Sequence, residues 1–287
     1  MSTAPEPRAL IHRVGGKKRL ARLILKHLPA HLAFTEAFAG SAAITLAKDP
    51  APQGDIINDA DVNIINLFRI VRDQPNELAM RIARTLYSRR EFEEAYEYIR
   101  QGAAPDDDPI EWARRFLVVN RQGFYGTPPL TWSMSRQSKT RSVSWEAMPE
   151  VVMAVSSRLK TVTIECGNYA DCLQLHDGPQ YCHFIDPPYL DVETKYYDVN
   201  RQGGFNHREL RDVIEQVKGS VAVTYYERPA IRELYKGFRV VRIPVTTAIN
   251  RKKKETELLL IRESAYAKSC GRRTLDIFKS SMTNDML

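Results

Sequence analysis

The run Phe184, Ile185, Asp186, Pro187, Pro188, Tyr189, Leu190 joins apolar residues to a carboxylate, two prolines and an aromatic ring. Pro187 and Pro188 have no N–H to give a sheet ladder, so a strand through Phe184 and Ile185 must end there and leave Asp186 on its C-terminal lip. In an open α/β sheet that lip is where ligands bind. The Asp186 carboxylate and the carbonyl of Asp186 or Pro187, released from the ladder, are two acceptors beside the Tyr189 ring. Two acceptors and a ring suit an exocyclic amino group on a flat heterocycle.

Other stretches carry ligand-binding chemistry of their own. Phe34 to Phe38 reads as a strand, and Ala39, Gly40, Ser41 and Ala42 open a helix through Leu46. A strand, a small glycine turn and a helix N-terminus let a ligand come close to backbone N–H groups. The turn departs from GxGxxG and does not by itself indicate a dinucleotide. Asp55 to Asn58 makes a second strand ending in Asp59, about twenty residues past the glycine turn, where an acid commonly holds ribose hydroxyls in α/β nucleoside sites. Asp61 precedes the apolar run Ile64, Ile65, Leu67, Phe68, Ile70 and reads as a helix cap, which leaves the ligand role to Asp59. His12 to Lys18 sets two glycines among basic residues, a tight loop before an amphipathic helix through Leu20, Leu23, Ile24 and Leu28.

These elements must be placed by the rest of the chain. The 287 residues suffice for one large α/β domain with an insertion or for two domains. With 43% hydrophobic and 27% charged residues the composition is that of a soluble globular protein. No apolar run approaches the roughly 18 residues of a membrane span, and the N-terminus lacks a signal-peptide core, so a cytoplasmic location is expected. Cys166, Cys172, Cys182 and Cys270 form no CxxC pair. Three of them lie near His176 and His183, but without zinc-type spacing they read as reduced thiols, and no metal is expected.

The net charge of +7 fits a polyanionic partner, and its distribution sharpens the point. From Trp112 to Trp145 there is no Asp or Glu, where the chain average would place about four. Arg114, Arg115, Arg121, Arg136, Lys139 and Arg141 lie in that window, as do all three tryptophans. Core packing is the simpler role for Trp112. Residues 75–122 look helical, with breaks near Ser88 and at Gly102 to Pro109, and 146–160 return to helix. Strands are then expected at Val162 to Glu165, Cys182 to Ile185, Val221 to Tyr225, Phe238 to Ile243 and Glu257 to Ile261. The last two form a hairpin around a basic tip at Asn250 to Lys254. Helices are expected at His207 to Val217 and Pro229 to Tyr235, a mobile loop at Lys195 to Gly204, and a loosely packed tail over 265–287.

In this order the motifs closely resemble those of the Dam-like (D12 class, alpha group) DNA N6-adenine methyltransferases. The catalytic motif stands as Asp186, Pro187, Pro188, Tyr189, the cofactor motif as Glu36, Ala37, Phe38, Ala39, Gly40, Ser41, and the N-terminal motif as Gly15, Gly16, Lys17. Asn58, Asp59 and the block Asn120 to Gly126 match as well, so the likeness spans roughly residues 10 to 262. The resemblance implies an α/β, Rossmann-like class I methyltransferase sheet of about seven strands with a mainly helical target-recognition insertion. It divides the chain into a catalytic domain at 1–74 and 146–264, a DNA-binding insertion at 75–145 and a basic tail at 265–287.

It further implies S-adenosyl-L-methionine as cofactor and methyl transfer to N6 of an adenine flipped out of double-stranded DNA, by a monomer or weak dimer. Arg13, Gly15, Gly16, Lys17, Glu36, Phe38, Ala39, Gly40, Ser41, Asp59, Asn168, Tyr169 and Asp186 would bind the cofactor. Asn120, Arg121, Gln122, Tyr125, Arg136, Lys139 and Arg141 would meet DNA, and Tyr189 would stack on the base, with Tyr196, Tyr197 and Phe205 either closing over it or serving as packing. Arg13 stands where the family has Trp, and after Gly126 the sequence departs from the family's insert. RNA adenine methylation and DNA binding without turnover are the alternatives, and the intact catalytic motif counts against the second.

Overall fold

Short apolar runs bounded by turn residues become the strands of one sheet. The computed structural model describes residues 10–12, 16–101, 108–123, 131–133, 138–189, 205–246 and 254–271. Its strands are β1 (Ala33–Glu36), β2 (Asp55–Asp59), β3 (Val162–Cys166), β4 (Tyr181–Ile185), β5 (Ser220–Tyr226), β6 (Arg239–Thr246) and β7 (Lys254–Arg262). Among the described residues they form a seven-stranded sheet in the order β3-β2-β1-β4-β5-β7-β6. The first five pair in parallel, and β7 runs antiparallel between β5 and β6. β1 is buried throughout, as expected of a parallel strand covered on both faces. The chain winds outward from β1 through β2 to β3, then returns to place β4 on the other side of β1. The switch point of the sheet, where α/β folds bind ligands, therefore lies between β1 and β4.

A 3₁₀ turn at Lys17–Arg19 leads into α1 (Ala21–Leu25), and α2 (Ala43–Ala47) follows β1. Between β2 and β3 come α3 (Val62–Asp73), α4 (Pro75–Ala83), α5 (Arg89–Arg100), α6 (Pro109–Gln122), α7 (Ser138–Glu146) and α8 (Met148–Leu159). Then α9 (Tyr169–Leu175) precedes β4, and α10 (His207–Gln216) and α11 (Pro229–Leu234) flank β5. The starts follow local chemistry: Asp61, Ser88, Asp108, Asn168 and Asn206 each accept a backbone N–H as the cap of α3, α5, α6, α9 and α10. Asp61 is thus the cap that its place in the sequence suggests, accepting from Asn63 N–H at 3.0 Å.

Side-chain alternation divides the core. Val221, Val223 and Tyr225 of β5 join Ile185, Leu258 and Leu260 on one face, while Ala222 joins Phe34, Phe184 and Leu259 on the other. A third cluster takes Ile64, Leu67 and Phe68 of α3, Leu78 and Ile82 of α4, Phe92 of α5, Leu117 and Val118 of α6, Val152 and Val155 of α8, and Ile164 of β3. The helical insertion thus shares its core with the helices that cover the sheet. Trp145 belongs to that packing and Trp112 lies beside Tyr98; both are buried, and the indole N–H of Trp112 donates to Asn63 Oδ1 (2.6 Å) and that of Trp145 to the Thr85 carbonyl (2.7 Å).

The fold departs from the sequence reading in several places, one of them α7, which forms ahead of the expected return to helix at 146. β1 ends at Glu36, before the expected Phe38. Regular helix then begins at Ala43, because Gly40 (φ 49°) and Ala42 (φ 50°) are left-handed and interrupt it. The start of the expected loose tail is ordered: residues 265–271 are helical and Ala267 is buried. Ser264 Oγ accepts the Ala267 N–H at 3.2 Å and donates to the Pro179 carbonyl at 2.7 Å, so a cap and an apolar contact override the polar composition. The expected mobile loop at 195–204 and the basic tip at 250–253 lie outside the described residues.

Candidate active site

β1 and β4 end side by side, Glu36 opposite Phe184, so the glycine turn and the Asp186 lip leave the sheet together. The turn is built from its neighbours. Glu36 is buried, its Oε2 accepting from Thr45 N–H (2.8 Å) and Thr45 Oγ1 (2.6 Å) and its Oε1 from Ile44 N–H (3.4 Å). It thereby caps α2, whose own N-cap Ala42 has no side-chain acceptor to offer. Burial pushes the Glu36 carboxyl up to about 7, against the pull of the Thr45 and Ile44 donors. Asp59 joins the next strand to the turn: Oδ2 accepts from Gly40 N–H at 2.8 Å and Oδ1 from Asp61 N–H at 3.0 Å. Buried Asn58 donates to the carbonyls of Ala37 and Gly167, both at 3.1 Å. Ala39 and Ser41 are buried in the turn.

Across the switch point the Asp186 carboxylate is oriented on one side. Its Oδ1 accepts from Thr224 Oγ1 of β5 at 2.7 Å and lies 2.8 Å from Lys17 Nζ. Among the described residues no donor is recorded on Oδ2, and Asp186 remains 21% exposed. Lys17 is buried, 3.4 Å from Glu257 Oε1 of β7 and 4.9 Å from the centre of the Tyr189 ring. Tyr189 OH donates to the same Glu257 oxygen at 2.9 Å. Burial raises the Tyr189 phenol well above its ordinary value, with the charges of Asp186 and Glu257 adding to the effect. Tyr189 is itself buried, edge-on to Tyr226 at 4.8 Å. Its ring braces the lip from inside, which differs from the open stacking face the sequence reading gave it.

Beside the turn, Phe38 stacks on Tyr169 at 5.1 Å, and Phe205 approaches them at 5.8 Å and 5.7 Å. Phe205 also meets His207, which contacts Tyr225 OH through Nδ1 at 2.8 Å. Asn168 Oδ1 accepts from Ala170 N–H as the cap of α9, the helix that carries Tyr169. Gly16 precedes the 3₁₀ turn that delivers Lys17. Arg13 and Gly15 lie outside the described residues.

The expected DNA contacts separate. Asn120 is buried at the end of α6, where Oδ1 accepts from His12 N–H (2.7 Å) and Nδ2 donates to the His12 carbonyl (2.9 Å). Gln122 is fully buried, its Oε1 accepting from Ser88 N–H (3.1 Å) and its Nε2 donating to the Leu86 carbonyl (3.0 Å). Both side chains are buried and their amides are spent on backbone groups, so as placed here neither faces DNA. Arg121 between them is half-buried and donates to His12 Nε2 (2.8 Å) and Ser144 Oγ (3.0 Å). Tyr125 and Arg136, and the side chains of Lys139 and Arg141 on α7, lie outside the described residues, as do Tyr196 and Tyr197.

Sequence reasoning missed Thr224 and Glu257. The signal for Glu257 was present: a carboxylate leading directly into the buried run Leu258, Leu259, Leu260, Ile261 requires a partner. Among the described residues no group of three or more His, Cys, Asp or Glu could hold a metal ion, and no helix is long and apolar enough to cross a membrane. Burial pushes the thiols of Cys172 and Cys182 up to about 12.

Comparison with known proteins bears on this arrangement. A family described as D12 class N6 adenine-specific DNA methyltransferase matches residues 14–249. A DNA adenine methylase of Vibrio cholerae is 24% identical over 255 residues, covering 85% of this chain and 90% of that protein. The Type II methyltransferase M1.LlaDCHI of Lactococcus lactis is 25% identical, covering 81% and 86%. The DNA adenine methylase of Escherichia coli K12 is 23% identical, covering 88% and 95%.

Proposed function

The chain belongs to the D12 class of N6 adenine-specific DNA methyltransferases, and from that premise we propose which of its residues bind the cofactor, the target base and the DNA. The carrying observation is the Asp186 carboxylate, anchored through Oδ1 by Thr224 and Lys17 with no donor on Oδ2 among the described residues, directly across the switch point from the Gly40 turn. The cofactor is S-adenosyl-L-methionine, which supplies an electrophilic methyl group on a sulfonium. The residues present fit it. Gly40 opens a left-handed turn without a side chain, Asp59 brings a carboxylate to that turn, and the Phe38 and Tyr169 rings offer faces for a purine. Lys17 and Asn168 stand beside these as supports.

Adenine N6 is a poor nucleophile because its lone pair is delocalised into the ring. Asp186 Oδ2 accepts one N6–H and the Pro187 carbonyl the other, which favours a pyramidal nitrogen and stabilises the positive charge growing on it. Pro187 and Pro188 keep the lip out of the sheet ladder, and Tyr189 holds it in place. No covalent enzyme intermediate is needed, since positioning and electrostatics suffice. The nitrogen's lone pair forms the new bond to the methyl carbon as the carbon–sulfur bond breaks and its electron pair stays on sulfur, and the nitrogen then gives up one proton to solvent. A paired base must leave its stack to reach this lip, so the substrate is duplex DNA with the adenine flipped out. The acid-free stretch 112–145 meets the DNA, with Arg121, Tyr125, Arg136, Lys139 and Arg141 as contacts. Asn120 and Gln122 instead tie the end of α6 to the backbone of His12, Leu86 and Ser88.

Calorimetry and labelled methyl transfer test this assignment. Asp59→Ala should weaken S-adenosylmethionine binding at least tenfold, and label should enter duplex DNA in preference to RNA. An unchanged affinity removes Asp59 from the site, and preferential labelling of RNA overturns the duplex assignment.

A further inference from the structure

We infer that Glu257, a buried carboxylate on β7, is a positioning residue for methyl transfer: it shares the Lys17 ammonium with Asp186 and fixes Tyr189, so that Asp186 keeps its negative character toward the incoming amine. The inference rests on the role given to Asp186 above and extends it to a residue outside the catalytic motif.

The geometry is that of one cation between two anions. Lys17 Nζ stands 2.8 Å from Asp186 Oδ1 and 3.4 Å from Glu257 Oε1, and both Lys17 and Glu257 are almost wholly excluded from solvent. Formal charges there sum to minus one. With Glu257 neutral, Lys17 would cancel Asp186, and a lip that must stabilise growing positive charge would have none of its own to offer. The third contact, from Tyr189 OH at 2.9 Å, ties the same oxygen to the end of the catalytic motif. Glu257 can hold these groups rigidly because β7 lies between two strands, with Tyr226 of β5 and Ile243 of β6 as its register partners. Among the described residues the groups facing it are Lys17 from the 3₁₀ turn, Asp186 and Tyr189 from the exit of β4, and the Tyr226 ring from β5; β6 presents the apolar Ile243.

Burial raises the Glu257 carboxyl above the usual range, Lys17 pulls it down, and Asp186 pushes it up again. As pH falls, Glu257 therefore takes its proton earlier than an ordinary carboxylate would, and turnover should fall with it.

Glu257→Gln tests the inference, because the amide oxygen can still accept from Tyr189 while the charge is gone. At neutral pH kcat should fall at least tenfold, KM for DNA and S-adenosylmethionine should stay within about threefold, and the acid limb of the kcat profile should move to lower pH. An unchanged kcat, or a loss confined to KM, overturns the inference. Asp186→Ala run in parallel separates the two readings. An inactive Asp186 variant beside a fully active Glu257→Gln refutes the Glu257 role alone, whereas an active Asp186 variant refutes the reading beneath it. Should Glu257→Gln fail to fold, Glu257→Asp keeps the charge but shortens the reach to Lys17 and Tyr189, and kcat should fall at least tenfold with KM within about threefold; an unchanged kcat refutes the role.

Discussion

Replacing Thr224 with valine removes a hydroxyl whose one short contact is to Asp186; its approach to the Ile185 carbonyl is long, at 3.5 Å. Thr224 is fully buried in the middle of β5, valine matches its shape, and a β-branched residue suits the strand. The lost contact is the 2.7 Å bond from Oγ1 to Asp186 Oδ1. A hydrogen bond to a charged group contributes about 1.5–3 kcal/mol. Lys17 remains on the same oxygen at 2.8 Å, so the carboxylate keeps one anchor and the lower figure applies. About 1.5 kcal/mol felt in the transition state alone is a loss of roughly tenfold in rate. Single-turnover transfer of labelled methyl to duplex DNA, at saturating cofactor, measures it. Calorimetry should show S-adenosylmethionine binding within about twofold of the unmodified protein, because Thr224 orients the acceptor and not the donor. An unchanged single-turnover rate, or a loss matched by weaker cofactor binding, would refute the orienting role.

Two other perturbations test how the site is supported. Asn120→Ala strips both amide contacts from the His12 backbone, and it should lower stability by about 1–3 kcal/mol and weaken cofactor binding through the segment leading to Lys17; identical thermal midpoints and affinities would show that the clamp is idle. Glu36 carries a folded-state value of about 7 against an ordinary 4.5, so its protonated form is the favoured one in the fold. Its contribution is fully present below about pH 4.5 and is lost as pH rises to about 7, roughly 3 kcal/mol in all. The thermal midpoint should therefore fall across that window more steeply in the unmodified protein than in Glu36→Gln, and parallel slopes would contradict the buried-acid assignment.

Much of the site was legible because single residues carry strong local constraints. Two prolines after Ile185 end a strand in any sheet, and Gly40 leaves β1 in a left-handed turn that its neighbours cannot adopt as cheaply. A cap such as Asp61 acts over two residues and is read in the same way, whereas the cap at Asn168 was read only as a cofactor contact. What escaped depends on contacts across the chain. Thr224 meets Asp186 over 38 positions, and Tyr189 meets Glu257 over 68, distances that no periodicity reports. The insertion misled for a related reason. Asn120 and Gln122 sit in a basic, acid-free stretch and look like DNA contacts, yet their amides are spent on the backbone of His12, Ser88 and Leu86. Composition gives the charge of a surface but does not say which polar side chains reach it.

The central claim is that the lip at the end of β4 directs a methyl group to adenine N6. Chromatography with mass detection of nucleosides, from plasmid DNA of cells expressing either the unmodified protein or Asp186→Ala, tests it most directly. N6-methyladenine is expected with the unmodified protein and none above background with the variant, which should still bind S-adenosylmethionine. Equal N6-methyladenine in both would contradict the account.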